Sequence, residues 1–393
     1  MHTHSRNSGA KLPSRPATSS AVAPTHVNAS IIHGPISPKE AVKKYSQLLS
    51  PYEKAEILKY DEIYYVGKAG KKETRVGSEY HFDLPTHHYK VTIGDHIVYR
   101  YEIRSLLGQG TFGQVLQCFD HKEKKLVAVK IMINTPDVTE AGTIEIDHLK
   151  RIIGQNNYCL QLLDSFTFRN HLCAVFDVLG QNLYDYTQAM KTRKIPEDMI
   201  KQIAKQVLIA LDYSHSHGVV HCDLKPENIT FVSGVDHNVR LIDFGSSCLI
   251  GEPMIYDYIQ SRYYRAPEVI LAYSYGPAMD IWSYGLVVAE LYTGKTIFTG
   301  ADNRGQMAKY IESFGLPPIE MRTKGKCSNE FFTLTGYYKQ EFGKEPIKPG
   351  SVPISQLTKI KDPNLIDFLN KCFEWDPKKR ISAREALKHP WIK

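Results

Sequence analysis

His221-Cys222-Asp223-Leu224-Lys225-Pro226-Glu227-Asn228 decides how this chain is read. An Asp and an Asn stand five apart with a Lys between them, and Asp243-Phe244-Gly245 begins fifteen residues after Asn228. Moving a phosphoryl group off a Mg-nucleotide requires groups of these kinds. Asp223 can accept a hydrogen bond from an incoming hydroxyl and take its proton. Lys225 can steady the group in transfer. Asn228 and Asp243 offer hard oxygen ligands of the kind Mg²⁺ prefers. Each piece alone is a weak signal; their order and spacing together are the strong one.

Upstream lies a complementary set. Tyr101 to Leu107 reads as a strand that runs into Gly108-Gln109-Gly110-Thr111-Phe112-Gly113-Gln114-Val115. A G-x-G-x-x-G could mark a dinucleotide site, but that needs a helix directly after the glycines. Here another strand follows, then a charged turn at Asp120–Lys125 and a third strand, Leu126 to Lys130. The pattern predicts a β-hairpin lid, with glycines that let backbone approach phosphate oxygens. Lys130, ending the third strand, can pair with the α- and β-phosphates. Val138–Ile153 reads as a helix with Ile144, Leu149 and Ile152 inward; Glu145 is the candidate partner for Lys130, Glu140 the alternative, and a surface carboxylate the competing reading of each.

Leu172–Phe176 reads as a buried strand, and Pro196 opens a long amphipathic helix capped near Gly218. Val239–Ile242 is the strand that presents Asp243. Asp280–Tyr292 is apolar nearly all round, so a fully buried helix stopped by Gly294 is expected. Residues 301–360 read as an irregular surface insertion, and Asp376 to Trp391 as a short helical end.

The first 34 residues are rich in Ser, Thr, Pro, Ala and His and should form a disordered tail. Residues 35–98 read as an accessory region and linker. Ser37-Pro38-Lys39-Glu40 is a helix start, Pro51 its end, and Ile63–Val66 a short strand. This region is too short for a full core and is expected to pack on the domain that follows.

The 393 residues carry a diffuse net charge of +7, which gives no footprint for nucleic acid. Seven cysteines without a C-x-x-C pair favour reduced thiols over a disulfide framework or a zinc site. Cys222 and Cys248 flank the central loop and could form a redox pair, with inert buried thiols as the competing reading. No apolar run is long enough to span a bilayer, and no signal core or lipidation motif is evident. The expected location is cytoplasmic, with a nuclear share left open.

These motifs, with Ala266-Pro267-Glu268, Asp280-x-Trp282 and Arg380, resemble a complete eukaryotic protein kinase domain over residues 99–393. The resemblance implies an α+β, bilobal fold with an N-lobe at 99–176 and a C-lobe at 180–393. It implies ATP and Mg²⁺, with Asp223, Lys225, Lys130 and Glu145 catalytic and Asn228 and Asp243 on the metal. The nucleotide would lie against Leu107, Gly108, Gly110, Phe112, Gly113, Val115, Ala128, Lys130, Phe176, Asp177, Val178, Leu179, Asn182, Glu227, Asn228, Ile242 and Asp243. Asp177–Leu179 would form the hinge that meets the adenine, and Arg380 would pair with Glu268.

His221-Cys222-Asp223, Asp243-Phe-Gly-Ser-Ser-Cys248 and Tyr256-Asp-Tyr258-Ile-Gln-Ser-Arg262-Tyr-Tyr-Arg265 further resemble the dual-specificity tyrosine-regulated kinases (DYRK), and residues 36–66 the accessory region of their class II branch. No Thr lies between Asp243 and Arg262, so Tyr258 is the candidate activating site and Tyr256 the second. Arg262 and Arg265 could bind its phosphate, since Cys222 stands where most kinases carry an Arg. The resemblance implies autophosphorylation on tyrosine and Ser/Thr protein substrates with a nearby Pro and an upstream Arg, read by Glu227 or Asp185. A monomer without nucleic-acid or membrane partners is expected. Another proline-directed kinase, a nucleotide-binding pseudokinase scaffold and a metabolic phosphotransferase are the rival readings.

Overall fold

A computed structural model describes residues 32, 34–67, 82–154, 156–190, 195–232, 237–252, 259–339 and 346–393. Residues 1–31, 33 and 68–81, and both Tyr256 and Tyr258, lie outside the described residues, while Ile32, expected in the disordered tail, is buried against the accessory helices.

Two short helices come first, α1 (Pro38–Tyr45) and α2 (Pro51–Glu56). The Ser37 hydroxyl accepts the Glu40 N–H, and Ser50 with Glu53 closes a capping box. Pro51 therefore opens α2 rather than ending α1, because proline's fixed φ suits the first helical position. The strand expected at Ile63–Val66 is reduced to one bridge, Ile63 to Ile36. Beyond it the N–H groups of Tyr64 and Tyr65 both converge on the Tyr99 carbonyl, which leaves no ladder to continue.

The N-lobe sheet comprises β1 (His96–Ile97), β2 (Tyr101–Gly110), β3 (Gly113–Asp120), β4 (Lys125–Met132), β5 (Asp164–Phe168) and β6 (His171–Asp177). They are antiparallel in the order β1-β2-β3-β4-β6-β5. Burial alternates along β3, as one covered face and one open face require. The covered face gathers Tyr101, Ile103, Leu116, Val129 and Val175. At Gly113, φ is 154° and a Cβ would sit 2.3 Å from the Ile131 carbonyl oxygen, so only glycine fits this turn.

Helix α3 (Pro136–Arg151) crosses the sheet between β4 and β5. Its inward stripe is Gly142, Glu145, Ile146 and Leu149; Ile144 is exposed, contrary to the periodicity reading. The helix turns Glu145 toward Lys130, which places Ile146 inside and Ile144 out.

The C-lobe holds α4 (Leu183–Ala189), α5 (Glu197–Ser216), β7 (Val219–Val220), β8 (Ile229–Phe231), β9 (Val239–Leu241) and β10 (Cys248–Leu249). Then follow α6 (Pro267–Ile270) and α7 (Pro277–Thr293). Helix α7 is buried nearly all round and stops at Gly294, which adopts φ 74°. The described residues of 301–360 are not irregular. They carry α8 (Asn303–Phe314), α9 (Ile319–Lys324), α10 (Ser328–Phe331) and α11 (Ile354–Thr358), and send Met307, Tyr310, Ile311, Met321 and Phe331 into the core. Gly and Pro here punctuate short helices, a pattern that composition alone reads as loop. Two more helices, α12 (Pro363–Cys372) and α13 (Ala383–Ala386), complete the lobe. Among the described residues no helix is long and apolar enough to cross a membrane.

The accessory segment packs on the N-lobe. Ala41, Tyr45, Leu49, Ile57, Ile63 and Val66 form a small cluster around Tyr99, which is wholly buried. Beside it Arg169, from the β5–β6 turn, donates to Glu56 of α2 at 2.9 and 3.0 Å and to the Tyr89 hydroxyl at 3.0 Å.

Candidate active site

Short backbone pairings build the floor of the cleft. Strands β7 and β10 pair, as do β8 and β9, and so hold the two ends of the 221–228 loop. Buried Asp280 in α7 fixes the loop's start: its carboxylate accepts the N–H groups of His221 (2.8 Å) and Cys222 (2.9 Å). The Asp223 N–H donates to His221 Nδ1, so His221 Nε2 carries a proton and donates to the Ile242 carbonyl at 2.9 Å. The ring also meets Phe244 edge-on. One imidazole thus ties the Asp223 loop to the segment carrying Asp243, itself at φ 63°.

At the surface of this floor Lys225 Nζ donates to Asp223 Oδ2 (2.6 Å) and Asn228 Nδ2 to the Asp223 carbonyl (2.9 Å). From above, Lys130 Nζ reaches both carboxylate oxygens of Glu145 at 2.7 Å. Glu140, the alternative, is exposed. A second tie joins α3 to the Asp243 segment, where His148 Nδ1 meets the Ser247 hydroxyl at 2.9 Å. Lys130, Glu145, Asp223, Lys225, Asp243 and Phe112 face one cavity of about 870 Å³.

In the lid, Gly108 and Gly110 have open space where a side chain would stand, Leu107 is exposed and Val115 half-buried, and Phe112, exposed at the tip, lines the cavity while these four do not. Ala128 and Phe176 are buried in the core and do not line the cavity. At the hinge, Asp177 accepts from Lys125 Nζ and from Arg240 Nη1, each at 3.0 Å. Burial raises the Asp177 pKa, but the two ion pairs outweigh it and hold the carboxyl below its usual range. Val178, Leu179 and Ile242 are half-buried beside it. Asn182 caps α4: its oxygen accepts the Asp185 N–H (2.7 Å) and its nitrogen donates to Asp185 Oδ2 (3.0 Å). Asp185 is therefore committed to a cap, while Glu227 faces the cavity with Oε2 lacking a hydrogen-bond partner among the described residues.

Arg265 is buried, with its guanidinium spread over the carbonyls of Ile259 (2.8 Å) and Gln260 (2.6 Å) and the side chain of Asn303 (2.6 Å). Arg262 donates to the Ala301 carbonyl at 2.6 Å. Arg380 Nη2 reaches Glu268 at 2.9 Å, with both side chains fully buried. The two sulfurs weighed as a redox pair lie 3.4 Å apart; burial pushes the Cys222 thiol well up, which opposes thiolate formation.

One site residue went unread in the sequence. The Ser261 hydroxyl donates to Asp223 Oδ1 (2.8 Å) and accepts from Lys225 Nζ (3.0 Å), and its N–H also reaches Asp223 Oδ1 (3.0 Å). A lone serine in a loop carries no periodic or spacing signal that could have marked it.

The family description "protein kinase domain" matches residues 101–392. Among curated proteins, the chain is 38% identical over 355 residues to the DYRK-family kinase pom1 of Schizosaccharomyces pombe, covering 88% of this chain and 33% of the relative. It is 37% identical over 385 residues to dual specificity tyrosine-phosphorylation-regulated kinase 3 of Rattus norvegicus, covering 91% and 65%. It is 36% identical over 382 residues to dual specificity tyrosine-phosphorylation-regulated kinase mbk-2 of Caenorhabditis briggsae, covering 91% and 47%. The chain thus spans between a third and two thirds of the length of these relatives.

Proposed function

The chain belongs to the protein kinase family and, within it, to the dual-specificity tyrosine-phosphorylation-regulated kinases, and on that footing we propose that it transfers the γ-phosphoryl group of ATP to Ser and Thr of proteins and to its own Tyr258. The observation that carries the reading is the convergence of the Lys130–Glu145 pair and the Asp223–Lys225 pair on one cavity.

In this reading Asp223 accepts the hydroxyl proton of the substrate. Ser261 and Lys225, bonded to its two carboxylate oxygens, hold it in one orientation. Lys225 also faces the transferring group, and Lys130, steadied by Glu145, pairs with the α- and β-phosphates. Asn228 and Asp243 suit Mg²⁺: the Asn228 nitrogen is committed to the Asp223 carbonyl, which leaves its hard oxygen for a cation. Bound there, Mg²⁺ would neutralise charge on the nucleotide phosphates. The lid and the hinge at Asp177–Leu179 enclose the nucleotide, with Phe176 limiting the space behind the adenine.

Glu227 is the preferred reader of a substrate Arg, because a buried carboxylate oxygen without a partner gains most from a guanidinium. Arg262 is the preferred partner of the two loop arginines for phosphate on Tyr258, because it is the less buried and Arg265 is committed to the loop carbonyls of Ile259 and Gln260.

The test is one reaction. The chain and its Asp243→Asn variant are incubated with Mg-ATP and an Arg-Pro-x-Ser-Pro peptide, and phosphosites are mapped by mass spectrometry. Peptide phosphate with Tyr258 modified in the wild type alone is the expected result. Peptide phosphate with Tyr258 bare keeps the kinase and discards self-activation. Nucleotide binding without any transfer favours a pseudokinase scaffold.

A further inference from the structure

Residues 82–90 precede the sheet in sequence, yet they fold back against the lid. Lys90 N–H donates to the Phe82 carbonyl (2.6 Å), Leu84 N–H to the His88 carbonyl (2.8 Å) and His87 N–H to the Leu84 carbonyl (2.9 Å), which closes the segment into a tight hairpin. The hairpin is fixed to the N-lobe through Asp83. Its Oδ2 accepts from Asn134 Nδ2 at 3.0 Å, and its Oδ1 faces Nε2 of buried His171 at 2.8 Å. The Asn134 N–H adds a bond to the His87 carbonyl at 3.0 Å.

From this base His88 reaches the lid. Its Nε2 lies 3.0 Å from the carbonyl oxygen of Gly110, and its Nδ1 lies 3.0 Å from the Thr86 hydroxyl. A carbonyl only accepts, so Nε2 carries the proton and the Thr86 hydroxyl can serve Nδ1. The neutral and the protonated ring both keep that Nε2–H donor. Gly110 ends β2, and across the turn the Ile133 N–H holds the Phe112 carbonyl at 3.1 Å. Gly108 and Gly110 lack side chains, and Phe112 is about two-thirds exposed, so little packing fixes this tip. Besides the β2–β3 and β3–β4 ladders, two hydrogen bonds reach this tip from neighbouring segments, and one of them comes from outside the kinase domain.

We propose that His88 is a positioning residue for the nucleotide: by tethering the lid through the Gly110 carbonyl, the segment ahead of the kinase domain sets how firmly the lid stands over the phosphates. The part of this inference that concerns nucleotide rests on the proposed function; the tether does not.

The experiment compares the full chain with His88→Ala and His88→Gln. Gln can place an amide N–H near the position of Nε2–H and so restore the bond. Deuterium exchange of residues 108–113 in the nucleotide-free protein reads the tether. It should rise about threefold in His88→Ala, as loss of one exposed hydrogen bond implies, with unchanged melting temperature and near-normal exchange in His88→Gln. With Mg-ATP, KM for ATP should rise by about the same factor while kcat stays within about twofold. Unchanged lid exchange in His88→Ala overturns the tether. Faster exchange with unchanged KM overturns its link to nucleotide. If the wild type binds no Mg-ATP, the nucleotide part falls with the proposed function, and the exchange result alone still upholds or overturns the tether.

Discussion

Oδ1 of Asp280 accepts the backbone N–H of Cys222 at 2.9 Å and holds Cys222 at φ 66°, one residue ahead of Asp223. Oδ2 accepts from the His221 N–H and faces His215 Nε2 at 2.9 Å. Burial raises the Asp280 pKa, yet these bonds outweigh it and keep the carboxyl below its usual range. Asp280→Ala leaves two buried N–H groups without acceptors and should cost about 3 kcal/mol in denaturant unfolding. Peptide phosphorylation should fall with it. Full stability would mean that the loop is held by other contacts.

The network that docks the accessory segment titrates from both sides. Around His96 stand Asp95, Glu53 and Glu56 of α2, Arg169 from the β5–β6 turn, and the rings of Tyr99 and Phe168. Burial works to raise the Glu56 pKa, but His96 and Arg169 outweigh it and lower it from 4.5 to about 2. Its contribution is complete above pH 4.5 and is lost as pH falls toward 2, for up to about 3 kcal/mol. Burial works to lower the His96 pKa, but Asp95 and Glu56 raise it above 6.5. Its contribution is complete below 6.5 and is lost as pH rises through the folded value. Exchange protection of residues 38–59 should therefore peak between these limits, and His96→Gln should remove the alkaline arm. A flat profile from pH 4 to 9 counts against this network as the docking element.

Glu145→Gln keeps the size of the side chain but removes the charge that holds Lys130. The expected loss is about a hundredfold in kcat/KM for peptide phosphorylation, with the melting temperature within a few degrees of wild type. A loss confined to KM for peptide would place Glu145 in substrate binding instead.

Arg380→Ala strands the Glu268 carboxylate in a site with no exposure on either partner. Removing one member of such a pair costs about 3–5 kcal/mol, so this variant should be less stable than Asp280→Ala. Arg380→Ala combined with Glu268→Gln should recover part of the loss, because the uncompensated charge is gone. If the double variant melts lower than the single, the damage lies in packing instead.

The site was legible in the sequence wherever chemistry imposes spacing. Lys130, Asp223, Asn228 and Asp243 sit in motifs whose intervals reflect how close the chain must bring them. Glu145 was read from helical phase, and Leu149 and Ile152 follow that phase inward, but Gly142, Glu145, Ile146 and Leu149 share one stripe at i, i+3, i+4 and i+7, which leaves Ile144 outside it. The helices of 301–360 were hidden for a different reason: α9 to α11, pieces of four to six residues, bury only one or two side chains each, too few for a period to show, while α8 does bury Met307, Tyr310 and Ile311 at helical spacing and was masked by the Gly and Pro around it. Neither Ser261, which lies unremarked inside the stretch Tyr256 to Arg265, nor His88 had a sequence signal for its role. Each acts through hydrogen bonds to residues distant in the chain, and only the folded arrangement places them.

Asp177 stands where the two lobes meet, with Lys125 of β4 on one oxygen and Arg240 of β9 on the other. The carboxylate is therefore an ionic bracket across the axis on which the lobes would swing. Such a bracket weakens as mobile ions screen it, and the screening length shortens from about 30 Å at 0.01 M salt to about 8 Å at 0.15 M. Release of spent nucleotide, which needs the cleft to gape, should then quicken with ionic strength, so that the salt of the surrounding fluid becomes a throttle on turnover.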